Sequence, residues 1–165
     1  METTLRITVI GKVEALELQV PTLWEIAGRV RRAVLERLHE HEEGLRNAAS
    51  MVASELTENV IKYSSGGAVP NGQLVEVDVR ERSIRIRTSN VASPTGIETV
   101  LRVVAEIAAH PNPELLYAES IARGLERPGA STQQGLYRIA GVGHFELSAR
   151  AQGNRLEITA ERSWR

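Results

Sequence analysis

Residues 42–65 read EEGLRNAASMVASELTENVIKYSS, and this stretch decides the fold. At the 3.6-residue period it makes a helix from about Glu43 to Ser64 with Leu45, Ala48, Ala49, Val52, Leu56 and Tyr63 on one side. Asn59 falls inside that apolar arc. Glu55 lies one turn before it and Lys62 nearly one turn after it, so a carboxylate, an amide and an ammonium line one edge of a face otherwise due for burial. A buried polar group without a partner costs roughly 1–3 kcal/mol, so the arrangement asks for a ligand, an ion or a polar neighbour. A loop carbonyl satisfying the amide, with both charges reaching solvent, is the plain structural alternative.

Upstream, LRITVI and VEALELQV flank Gly11 and Lys12 and alternate as a short amphipathic hairpin or two strands, placed within residues 1–21. This N-terminal hairpin either pairs within the sheet or supplies a dimerising edge. Thr22 and Glu25 form a capping box after Pro21. From there Leu23, Ile26, Val30, Val34 and Leu38 give a helical stripe running to about His39, with Arg29, Arg31 and Arg32 on its solvated side. Downstream, Gly66 or Gly67 closes the long helix in the left-handed conformation, and Pro70, Asn71 and Gly72 make a turn.

Val75, Val77 and Val79 then alternate with Glu76, Asp78 and Arg80, and Ile84 and Ile86 with Arg85 and Arg87, an antiparallel hairpin with one buried and one charged face. Two helices follow, about Thr95 to Ala109 and Pro113 to Leu125, the second capped by Asn112 with Pro113 at its first position. The loop RPGAS leads to a short helix around Gln133 to Ala140. FELSAR and RLEITAER, joined through Gln152, Gly153 and Asn154, close the chain as another hairpin. The expected architecture is a two-layer α/β sandwich, a mixed and mostly antiparallel sheet with helices on one face.

Composition sets the frame. The 165 residues suit one domain with a proper core, the formal net charge is −1, and cysteine is absent, so disulfides and thiolate metal sites are excluded. No apolar run reaches the length of a membrane span or signal-peptide core, and near-neutral charge gives no general attraction to nucleic acid. The expectation is a cytoplasmic protein with neither membrane nor nucleic-acid partner. His39, His41 and Glu43, spaced two apart, would suit a metal only on a strand, and here they fall at a helix end or turn. His110 and His144 have no partner adjacent in sequence.

The string SELTENVIKYS resembles the N-box of the Bergerat-fold, histidine-kinase-like ATPases, Glu-x3-Asn-x2-Lys/Arg followed by an aromatic or His, with Glu55, Asn59, Lys62 and Tyr63 at the matching positions. Length and element order from about Thr22 onward are similar to the small bacterial anti-sigma-factor kinases and related partner-switching regulators. The resemblance implies that Asn59 coordinates Mg²⁺, that Glu55 orients or deprotonates an attacking hydroxyl, and that Lys62 approaches the phosphates of ATP. One amide oxygen with phosphate oxygens and water suits Mg²⁺ chemically. It also implies a homodimer and a protein partner, an antagonist domain or a sigma-factor-like regulator.

The other nucleotide motifs depart from that family. Its Asp-x-Gly-x-Gly, whose Asp accepts from the adenine amino group, aligns on IRIRTSNVASP with Thr88 at the Asp position and Asn90 and Ala92 at the glycines. Replacing a charged acceptor costs on the order of 1.5–3 kcal/mol, roughly tenfold to a hundredfold in affinity. Thr88 and Asn90 keep weaker acceptors. In the Gly-x-Gly lid motif Gly135, Leu136 and Ile139 fit, while Gln133 replaces the earlier glycine, and Ser131 with Gln134 makes an internal capping box. Three readings follow. One is a regulator acting through protein contact with weak or lost ATP binding, the second an active ATP·Mg-dependent Ser/Thr protein kinase of the anti-sigma type, the third an unrelated small-molecule-binding α/β domain.

Overall fold

Valine and isoleucine at every second position bury one face of a strand and leave the other to charge. Strands β2 (Gln73–Arg80) and β3 (Ser83–Val91) follow that rule as an antiparallel hairpin, with Val75, Val77, Val79, Ile84 and Ile86 buried. The computed structural model describes residues 3–9, 23–63, 73–126 and 133–164. Across them run β1 (Thr3–Val9), α1 (Leu23–Arg37), α2 (Glu43–Tyr63), β2, β3, α3 (Pro94–Ala109), α4 (Pro113–Glu126), α5 (Gln134–Gly141), β4 (Glu146–Gln152) and β5 (Arg155–Ser163).

The strands form one five-stranded sheet in the order β1-β2-β3-β5-β4, and all of its ladders are antiparallel. Val77, Ile86, Ala160 and Leu147 lie in one row across four strands, all buried. α2 lies over β2 and β3, α3 over β4, and α1 rests on α2, so the helices form the second layer of a two-layer α/β sandwich. The core between them draws Val52, Ala53, Leu56 and Ile61 from α2, Val100 and Val103 from α3, and Leu136 and Ile139 from α5. Burying one such Val, Leu or Ile stabilises by roughly 1.5–3 kcal/mol.

The opposite sheet face is an ion-pair lattice. Arg85 binds Glu161 at 3.0 Å, Arg150 binds Glu157 at 2.8 Å, and Arg87 pairs with Glu76.

Local chemistry sets the helix ends. Ser93 accepts from the Gly96 N–H at 3.1 Å to start α3, and His110, held extended by the following Pro111, ends it. Asn112 accepts from the Leu115 N–H at 3.0 Å, the cap read from the sequence. The β4–β5 turn is shorter than the three residues anticipated: only Gly153 and Asn154 separate the strands, and Gly153 takes φ 59°, which glycine tolerates. β1 pairs along β2, so the first N-terminal strand belongs to the sheet. The second one expected in residues 13–20, the Thr22 cap, the Gly66–Gly67 stop, the Pro70–Gly72 turn and the Ser131 cap lie outside the described residues.

Candidate functional site: the face of α2 against α5

Residues at i, i+4 and i+8 share a helix face, so Glu55, Asn59 and Tyr63 form a column along α2. Both ends of that column meet α5. Arg138 Nη1 donates to Glu55 Oε1 at 2.9 Å, and Gln133, immediately before α5, donates through Nε2 to the Tyr63 hydroxyl. Gly135 makes the approach: a Cβ there would stand 2.5 Å from Glu55 Oε2. Tyr63 also packs on Gly96 in the first turn of α3, where a Cβ would come within 3.4 Å of its ring.

Asn59 lies between these contacts, half-buried, with its Nδ2 enclosed and without a partner among the described residues. The Gln133 Oε1 is in the same condition. The amide therefore sits on the α5 side of α2, between contacts made by the protein's own side chains. Lys62 is exposed, with its Nζ 5.3 Å from the Tyr63 ring centroid. The Glu58 carboxyl is pushed above its ordinary range, first by burial and then by the neighbouring Glu55 charge, while Arg138 pulls the other way.

Thr88 and Asn90 continue the core-facing alternation of Ile84 and Ile86. Thr88 sits in a row with Val75 and Ile158, fully buried, and its Oγ1 has no partner among the described residues. Asn90 is buried opposite Leu156 and donates through Nδ2 to the Val91 carbonyl at 3.4 Å.

The donor set suits ATP·Mg unevenly. Asn59 offers one amide oxygen of the kind Mg²⁺ takes, but one Glu55 oxygen is held by a guanidinium, and Thr88, at the position where the resemblance implies a carboxylate, offers only a neutral hydroxyl in an apolar row. Among the described residues no group of three or more His, Asp or Glu is placed to hold a metal ion. An open cavity of about 680 Å³ is lined by Ala92, which stands at a glycine position of the family motif, with Pro94, Ile97, Leu101, Gly153 and Asn154 among others, and its lining includes none of Glu55, Asn59, Lys62, Tyr63, Thr88, Asn90 or Gly135.

Sequence reasoning missed Arg138 and the Gln133–Tyr63 bond. Gln133 registered only as a lost glycine. The Arg138–Glu55 pair spans 83 positions, and no local periodicity announces it. A third polar cluster also went unseen. Tyr137 donates to Glu106 Oε2 at 2.6 Å and Arg123 to Glu106 Oε1 at 3.1 Å, tying α5, α3 and α4 together. Burial, then the Glu106 bond, pushes the Tyr137 hydroxyl up to about 12, and the Tyr137 bond leads in drawing Glu106 below the usual carboxylate range.

No protein-family model and no curated protein matches the chain. A solved structure does: a chain in the crystal structure of the SiaB–SiaC complex from Pseudomonas aeruginosa shares the fold with TM-score 0.59 and 16% identity, over 96% of this chain and 89% of that one. The neighbour is an assembly of two proteins, and the likeness is one of fold. Among the described residues no helix is long and apolar enough to cross a membrane.

Proposed function

We propose that this chain is a signalling regulator of the partner-switching type, working through protein–protein contact on a histidine-kinase-like ATPase fold in which ATP binding is weak or lost. The observation that carries this reading is the engagement of Glu55 by Arg138 with Gly135 packed against the carboxylate. A carboxylate oxygen that already accepts from a guanidinium is engaged within the protein, and α5 packs on the face of α2 that the resemblance assigns to the phosphates. Thr88 in the core row supports it further. A fold shared with a chain of a two-protein complex agrees.

The unpartnered Asn59 amide favours a second reading, an ATP·Mg-dependent Ser/Thr kinase with Glu55 as base and Lys62 near the phosphates. Phosphoryl transfer depends on positioning the phosphates and metal more than on the adenine. Calorimetric titration with ATP and Mg²⁺ separates the two. The adaptor reading expects no heat at millimolar nucleotide. Saturable binding whose Mg²⁺ dependence disappears in Asn59→Ala would replace it with the kinase.

A further inference from the structure

The open edge of β4 carries a pattern that reads the same from both directions. Trp164 N–H donates to the Arg82 carbonyl and Ala92 N–H to the Asn154 carbonyl, which fixes the even-numbered residues of β5 as those bonding β3. Its odd-numbered residues therefore bond β4, at Glu146, Ser148, Arg150 and Gln152. By alternation the N–H and C=O groups of Leu147, Ala149 and Ala151 point away from β5, toward a side on which no described strand pairs. Glu146, Ser148 and Arg150 place their side chains on the outer sheet face, exposed.

We propose that two copies of this chain join through β4, antiparallel about a two-fold axis at Ser148, fusing two five-stranded sheets into one. In this register Leu147 and Ala149 of one copy exchange backbone hydrogen bonds with Ala149 and Leu147 of the other, using the free groups. Glu146 then lies directly opposite Arg150 of the other copy, twice by symmetry, in the non-hydrogen-bonded positions where side chains come closest. Glu146 needs such a cation. Its cross-strand neighbour is Glu161, a like charge already held by Arg85, and among the described residues Glu146 makes no ion pair. The Arg150 side chain, 76% exposed beside Glu157, has donors to spare. Charges along an edge ordinarily deter pairing with another strand, whereas a Glu and an Arg equidistant from Ser148 make this edge complementary to itself.

Sedimentation equilibrium on the full chain tests the interface, with thermal unfolding by circular dichroism checking each variant's fold. The wild type should be a monomer–dimer equilibrium. Glu146→Arg and Arg150→Glu should each raise the dimer dissociation constant by about tenfold or more, because both symmetric contacts turn repulsive. The double variant Glu146→Arg/Arg150→Glu should recover the dimer. Ala149→Pro, which removes an edge-facing N–H and leaves the ladder to β5 intact, should abolish it. A wild type that stays monomeric at its highest soluble concentration, a dimer indifferent to either single charge reversal, or a double variant that fails to recover would each overturn the proposal.

Discussion

Thr88 is the residue at which the family resemblance and the packing pull apart. Its γ-methyl belongs in the row with Val75 and Ile158, but its hydroxyl is buried with nothing to bond among the described residues. Removing an unpaired hydroxyl from an apolar row is neutral to favourable. Thr88→Val should therefore leave stability unchanged or raise it by up to about 1 kcal/mol, read from urea unfolding. A loss greater than that would show that the hydroxyl has a partner. At this scale the sequence was a partial guide. The helical period put Glu55, Asn59 and Lys62 on α2, where the first two are half-buried and Lys62 is exposed. What occupies them was hidden, because Arg138 and Gln133 reach them only through tertiary folding.

Elements were far more legible, and caps explain why. Asn112 with Pro113 begins α4, and the valine alternation of β2 fixes its inner face, both through neighbours a few positions away. Contacts between elements were not. α4 and α5 pack so closely at Gly141 that a Cβ there would stand 2.7 Å from Tyr117 Cβ and 2.8 Å from the Pro113 carbonyl oxygen. Neither neighbour is the far end of a flexible chain. Gly141→Ala should separate the two helices and destabilise by about 1–3 kcal/mol, despite alanine's better helix propensity, seen as a Tm lowered by several degrees.

In the whole molecule, Glu106, Tyr137 and Arg123 bind three helices into one layer, and their titration enters global stability. The Tyr137 hydroxyl titrates higher in the folded state than its ordinary 10, at about 12, so its contribution is complete below pH 10 and is lost as pH rises toward 12. Glu106, held low when folded, contributes above the ordinary carboxylate range and loses that contribution as pH falls through it. Urea unfolding from pH 9 to 12 should show the alkaline decline in the wild type and a flatter curve in Tyr137→Phe, which should also lose about 1–2 kcal/mol at neutral pH. The two-layer plan itself was readable from alternation and helical period. Strand order was not, since β1 with β2 and β3 with β5 pair across the length of the helical layer.

That strand order governs when the protein can be finished during synthesis. β5 lies between β3 and β4, so a ribosome that has delivered everything through residue 152 has made a β1–β2–β3 sheet and an orphan β4, with no bridge between them. Residues 155–163 then enter as a keystone, satisfying two ladders at once and sealing Leu156, Ile158 and Ala160 under the helices. Until they emerge, the nascent chain holds a half-roofed core with two raw strand margins, the state in which chaperone capture and misassociation compete with folding.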